Sequence, residues 1–134
     1  MLLLNYQYGN IISGAVQSTM KIIYKDCTAE RQFDPRHERK WENPKPVVIK
    51  IKAMKNYIEN ASSLFDVINY PPFHFHKLKG DRKYEWGLYL GNTGYRVTLI
   101  PVDDQEKSIV DGDIINSCKL IKIVLVTEVS NHYE

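Results

Sequence analysis

Two strand-like segments separated by a four-residue turn constrain the fold of this chain most strongly. The segments are Tyr84–Leu90 and Tyr95–Val102, both rich in aromatic and aliphatic residues, with Gly91-Asn92-Thr93-Gly94 between them. Glycine and asparagine tolerate the backbone angles of tight turns, so this pattern predicts an antiparallel β-hairpin. A third strand-like segment, Leu120–Val129, extends the prediction to an antiparallel meander.

Earlier segments supply the elements that should pack on this sheet. Met20–Lys25 alternates in character and predicts a first strand. Thr28 is the expected N-cap of a short helix that stops before Pro35, because proline interrupts helices. A stronger helix is predicted from Val47 to about Asn60, where apolar residues recur at helical spacing. Asp111-Gly112-Asp113 is expected to form a turn and a small extra hairpin.

These elements together predict an α+β fold, with an N-terminal strand and two helices packed on a mainly antiparallel twisted sheet. The length of 134 residues suits one domain with a single core. The first charged residue is Lys21, and a strand is predicted from Met20 onward. We therefore expect a domain over residues 20–134, preceded by an extension over residues 1–19.

The chain shows no sign of export or membrane insertion. The apolar start, Met1–Leu4, is interrupted at once by Asn5 and Gln7, whereas a signal peptide needs a basic residue followed by a longer apolar run. No segment reaches the ~18–20 apolar residues of a membrane helix. We expect a soluble, cytoplasmic protein in which Cys27 and Cys118 are reduced and buried.

Charge is distributed unevenly along the chain. Residues 20–96 contain 15 Lys and Arg against 9 Asp and Glu, whereas residues 97–134 contain 3 against 7. A cluster of cations is the usual feature of proteins that bind polyanions, although it is also common on an ordinary solvated surface. The basic part of the chain is therefore where a nucleic-acid contact is expected.

The segment His76–Lys83 concentrates this charge, with one histidine and four cations in eight residues. Gly80 allows the segment to turn, Arg96 follows in the next predicted strand, and His132 and Tyr133 come after the last one. Cleavage of RNA by its own 2′-hydroxyl needs a proton acceptor, cations for the phosphate and a proton donor for the leaving oxygen. The set fits that chemistry, and a solvated basic loop remains the alternative.

Residues 75–100 closely resemble the central motif of HigB-type toxins of the RelE/ParE superfamily. That motif has the form HxLKGDRKGxW, followed by a strand, a turn and an aromatic–Arg pair. It is matched here by His76, Leu78, Lys79, Gly80, Asp81, Arg82, Lys83, Trp86, Tyr95 and Arg96. Outside this segment the resemblance extends only to the order of the elements over about 20–134.

The resemblance implies the toxin of a type II toxin–antitoxin system, a RelE-like fold and a metal-independent, ribosome-dependent mRNA endonuclease without cofactor. The implied partners are the ribosome, mRNA and a cognate antitoxin of the helix-turn-helix, HigA-like type. The implied active-site positions are His76, Lys79, Arg82, Arg96, His132 and Tyr133, with Lys77 and Lys83 binding the RNA backbone.

The C-terminal tail departs from the family pattern, which ends in Asp-Tyr-His. Here Ser130-Asn131 replaces the first two residues, His132 is kept, and Tyr133 stands one position late for the tyrosine. Two alternatives therefore stay open. One is a non-catalytic inhibitor of a topoisomerase, similar to the ParE branch, and the other is a degenerate member that only binds its antitoxin and represses their operon.

Overall fold

A computed structural model of the chain describes residues 19–34, 43–82, 84–109 and 111–131. The elements in chain order are β1 (Lys21–Tyr24), α1 (Cys27–Phe33), α2 (Lys45–Asn60), α3 (Leu64–Ile68), β2 (His76–Lys77), β3 (Trp86–Tyr89), β4 (Tyr95–Val102), α4 (Asp111–Ser117) and β5 (Ile123–Asn131). Single 3₁₀ turns occur at Pro71–Phe73 and Cys118–Leu120. Residues 1–18 of the expected extension lie outside the described residues.

The strands form one five-stranded sheet in the order β1-β5-β4-β3-β2. β1 pairs with β5 in parallel, and the other neighbours are antiparallel. The α+β class and the meander of β3, β4 and β5 are thereby confirmed. The predicted turn is also present, since the Leu90 amide donates to the Tyr95 carbonyl and Gly91 and Gly94 have positive φ angles of 59° and 84°.

One face of the sheet is covered by helices and forms the core. Leu88 of β3 and Val97 of β4 lie opposite each other on this face, both fully buried. α1 packs against β5. The apolar stripe of α2 is buried as predicted and consists of Val47, Ile51, Met54 and Ile58. Trp86 also belongs to this core and stacks on Phe75, with ring centroids 4.8 Å apart.

Three predictions at the start of the fold are wrong in detail. α1 is capped by Asp26 rather than Thr28, because the Asp26 carboxylate accepts a hydrogen bond from the Ala29 amide at 2.9 Å. Cys27 then occupies the first turn of the helix and is exposed, whereas Cys118 is buried as expected. Both cysteines are free thiols. α2 begins at Lys45, since proline is tolerated in the first turn of a helix, where its missing N–H has no helical partner.

The segment after β4 is also different from the expectation. Asp111-Gly112-Asp113 begins α4 instead of turning a hairpin. Asp and Gly are frequent both in turns and at helix starts, so their presence alone does not decide between the two. Ile114 decides it here, because its side chain is fully buried in the core and the helix places it there.

Candidate functional site

The sheet register places the predicted residues of β2 and β4 on the face opposite the helices. Two neighbouring rows of side chains cross the strands there. The first row, from β2 to β5, consists of His76, Gly87, Thr98 and Glu128. The second row, from β3 to β5, consists of Tyr89, Arg96 and Ser130. We call these seven positions the polar face. They share one side of the sheet because alternate residues of a strand point the same way.

His76 is held in one orientation by three contacts. Its Nδ1 lies 2.7 Å from the carbonyl oxygen of His74, which can only accept, so in the neutral ring Nδ1 carries the proton and Nε2 is the acceptor. The ring meets Tyr89 edge-on, with centroids 5.2 Å apart. It also lies over Gly87, with Cε1 and Nε2 each 2.9 Å from where a Cβ would stand. The ring is therefore set up to take a proton at Nε2.

The backbone before β2 provides the carbonyl that orients His76. The 3₁₀ turn Pro71–Phe73 ends at His74, whose φ of 47° and ψ of 51° are left-handed. This conformation is uncommon for a residue with a side chain, and it reverses the chain directly before the strand. The His74 ring packs on Tyr89, with centroids 5.4 Å apart. Tyr89 thus contacts both histidines.

The side chain of Arg96 contains a donor that no other described residue satisfies. It is half-buried in β4, between Tyr89 and Ser130 in the register. Its Nε atom is buried and has no hydrogen-bond partner among the described residues. A buried donor without an acceptor is costly, and a charged one more so. Nε itself is buried, but the terminal Nη atoms of a guanidinium group also bind phosphate oxygens well, so Arg96 is a candidate to contact a phosphate.

Arg82, by contrast, is already paired with two carboxylates. Its Nε and Nη2 atoms donate to Oε1 of Glu85 at 3.2 and 2.7 Å, and Nη2 lies 3.3 Å from Oε2 of Glu128. The hydrogen bond to Glu85 is the main cause that raises the pKa of Arg82 above its ordinary value, and burial opposes it. The positive charge of Arg82 is therefore balanced within the protein.

Hydroxyl groups extend this ion-pair network across the sheet. The register shifts after Thr98, which leaves Thr127 as an additional residue in β5. The Thr127 hydroxyl donates to Oε1 of Glu85 at 3.2 Å and lies 2.7 Å from the Thr98 hydroxyl. Thr98 is fully buried, so its hydroxyl needs such a partner. The network fixes the loop before β3 to the middle of β5.

The remaining predicted positions lie on the other side of the sheet, in a loop, or outside the described residues. Lys77 pairs with Trp86 in the register, and so belongs to the opposite side of the sheet from His76. Lys79 is exposed in the loop between β2 and β3. Lys83, His132 and Tyr133 lie outside the described residues. The structure thus brings His76, Arg96 and Arg82 to one face.

Three contributors to the face were not predicted from the sequence. Glu85 and Glu128 are the carboxylates that hold Arg82, and Tyr89 is the ring that His76 touches. The glycine at position 87, by contrast, is a sequence feature from which the close contact with His76 could have been predicted. A glycine inside a strand often marks a place where another group approaches the backbone closely, as the His76 ring does here.

The chain matches no protein-family model, and no curated protein sequence matches it either. In the described ranges, no helix combines the length and apolar character required to cross a bilayer. The same residues contain no group of three or more His, Cys, Asp or Glu side chains placed to hold a metal ion.

Proposed function

We propose that this protein is a RelE-like toxin of a type II toxin–antitoxin system that cleaves mRNA on the ribosome without a metal ion. The observation that carries the proposal is that two groups with different chemical roles share the polar face. His76 has an oriented Nε2 acceptor, and Arg96 in the neighbouring row has a buried Nε without a partner among the described residues. Cleavage of RNA by its 2′-hydroxyl requires both a proton acceptor and a site that favours an anion, and these two groups lie on the same face of the sheet.

The proposed reaction assigns its two proton transfers to different residues. Nε2 of His76 takes the proton of the 2′-hydroxyl, and the resulting oxygen forms a bond to phosphorus. Arg96 stabilises the additional charge on the phosphate oxygens. The bond from phosphorus to the 5′-oxygen breaks, and His132 or Tyr133 gives that oxygen a proton. The products are a 2′,3′-cyclic phosphate and a 5′-hydroxyl end.

Two observations favour a second candidate, a member that binds its helix-turn-helix, HigA-like antitoxin without cleaving RNA. Arg82 stands at a motif position expected to meet phosphate, but Glu85 and Glu128 already balance its charge. Ser130-Asn131 also replaces the acidic and aromatic residues of the family tail. A protein with these changes could keep the fold and the antitoxin contact after loss of catalysis.

Primer extension on cellular mRNA after brief expression of the protein tests the proposal. The wild-type chain should produce cuts at fixed positions within codons of translated messages. Arg96→Gln, expressed at an equal level, should produce none. Growth arrest with poisoned gyrase and intact mRNA would instead indicate a topoisomerase inhibitor. Neither cuts nor arrest, with antitoxin binding retained, would indicate the non-catalytic member.

A further inference from the structure

A small aromatic cleft lies beside the polar face. It is formed between α2, the 3₁₀ turn Pro71–Phe73 and the turn that joins β3 to β4, and its volume is about 160 Å³. The residues of its lining that matter here are Lys50, Ala53, Tyr57, Tyr70, Phe73 and Tyr89. Sites for drug-sized ligands usually have volumes of roughly 300–1,000 Å³. The cleft is therefore too small for a whole cofactor but can accept part of one planar ring system.

Three aromatic rings on one side of this cleft support each other. Tyr57 and Tyr70 are stacked with centroids 4.4 Å apart, and Phe73 meets their edges at 5.3 and 4.7 Å. The Tyr57 hydroxyl donates to the Asp66 carbonyl at 3.3 Å. Burial is the main cause that raises the pKa of Tyr57, and Asp66 adds to it. These contacts give the cleft a preformed aromatic wall.

The rim of the cleft carries a positive charge. Lys50 is exposed, and its side chain lies along the hairpin turn, with Cε 2.9 Å and Nζ 3.4 Å from the place of a Cβ on Gly91. A larger residue at position 91 would displace the lysine, quite apart from the positive φ there. An aromatic wall with a cation at its rim suits a ligand that combines a planar ring with an anionic group.

Tyr89 connects the cleft to the polar face. It lines the cleft, its ring touches His76, and it lies opposite Arg96 in the register. A strand with a phosphate at Arg96 therefore has a neighbouring nucleotide within reach of the cleft. We propose that the cleft is a subsite for one unpaired nucleobase of the bound RNA, with Lys50 near its phosphate. This inference rests on the proposed function, and names a substrate contact that the function does not require.

Binding of a short single-stranded RNA to the purified protein tests the subsite. The probe is a fluorescent 2′-O-methyl oligonucleotide, which cannot be cleaved because its 2′-oxygen lacks a proton. Ala53 is exposed, so Ala53→Trp fills the cleft without disturbing the core. Ile49→Trp is the matched control, because Ile49 is 59% exposed on the same helix and does not line the cleft. Fluorescence anisotropy gives the dissociation constants.

We expect Ala53→Trp to weaken binding about 5- to 150-fold, the range for loss of one stacked base. Ile49→Trp should bind like the wild type, and Lys50→Ala should weaken binding and reduce its dependence on salt. An RNA probe with one abasic position should bind the wild type more weakly than the intact probe does. Ala53→Trp should bind the two probes equally.

Each other outcome overturns the subsite in a recognisable way. Equal binding by Ala53→Trp and the wild type overturns it and leaves the proposed function intact, provided that the wild type cuts mRNA and Arg96→Gln does not. If Ala53→Trp loses antitoxin binding but binds RNA like the wild type, the cleft accepts a side chain of the antitoxin instead of a nucleobase. If circular dichroism shows that Ala53→Trp is unfolded, two other measurements decide. The subsite is overturned if Lys50→Ala binds the intact probe as tightly as the wild type does and the wild type binds the abasic probe as tightly as the intact one. No binding by the wild type also overturns it, and primer extension then decides the function separately.

Discussion

The imidazole of His76 occupies the space that a side chain on Gly87 would fill. Its Cε1 and Nε2 atoms are 2.9 Å from the position of a Cβ there, and Cδ2 of Leu78 is 3.2 Å away. Heavy atoms of protein side chains in contact normally stay about 3.5–4.0 Å apart. Residue 87 must therefore lack a side chain for the histidine to keep its orientation across the two strands.

Replacing Gly87 with alanine should reduce RNA cleavage about 10²-fold, close to the lower limit for loss of a general base. The physical reason is displacement of the His76 ring from the strand. Single-turnover cleavage of ribosome-bound mRNA provides the measurement. Because both changes act through the same ring, Gly87→Ala combined with His76→Ala should be no slower than His76→Ala alone.

Gly112→Ala is the matched control for that substitution. Gly112 lies in α4, and nothing stands within 4 Å of a Cβ added there. Alanine favours a helix over glycine by up to about 1 kcal/mol, so stability should be unchanged or slightly higher. Equal loss of cleavage in the two glycine variants would contradict a role for Gly87 in positioning His76.

Arg96→Met should slow cleavage by about 10²–10³, the usual effect of losing one group that stabilises charge in the transition state. It should not lower the free energy of unfolding, because the Nε atom that it removes is buried without a partner among the described residues. Urea denaturation measures the stability. A destabilised Arg96→Met protein would mean that the guanidinium holds the fold together rather than awaiting a ligand.

Arg82→Met should behave in the opposite way in the same denaturation experiment. It removes the contacts to Glu85 and Glu128, which are partly exposed, so we expect a loss of about 0.5–1 kcal/mol. The pKa of Arg82 is raised above its ordinary value. The stabilisation that its charge contributes is therefore complete at any pH below that ordinary pKa, and it is lost only as the pH rises through the raised pKa.

The cost of Arg82→Met should therefore be the same at pH 6 and pH 9 and should shrink with added salt, which screens exposed pairs. A cost that changes strongly between these two pH values would contradict the assignment of the network to a permanently charged guanidinium.

Lys79→Ala should impair cleavage more than Lys77→Ala. Lys77 is on the side of the sheet opposite His76, where it can add only general attraction to the RNA backbone. Its removal should weaken ribosome binding modestly and flatten the dependence on salt. Ribosome cosedimentation at several salt concentrations, together with single-turnover rates, separates the two lysines. Complete inactivation by Lys77→Ala alone would show the ranking to be wrong.

The elements that local sequence determines were predictable. The turn at Gly91–Gly94 and the buried stripe of α2 depend on residue spacing and on glycine, and both are present. The partners of Arg82 were not predictable, because a shift in strand register decides that Thr127 contacts Glu85 while Glu128 contacts Arg82. The turn predicted at Asp111-Gly112-Asp113 was wrong because the burial of Ile114, a tertiary effect, selects a helix where the local residues favour a turn.

The most direct test of the central claim is single-turnover cleavage of ribosome-bound mRNA by the purified wild-type protein and by His76→Ala. The claim is that the polar face carries the reaction, with Nε2 of His76 as proton acceptor. It predicts products with 2′,3′-cyclic phosphate and 5′-hydroxyl ends, and a rate about 10²- to 10⁴-fold lower for His76→Ala. Equal rates for the two proteins, or products with a 5′-phosphate, would contradict it.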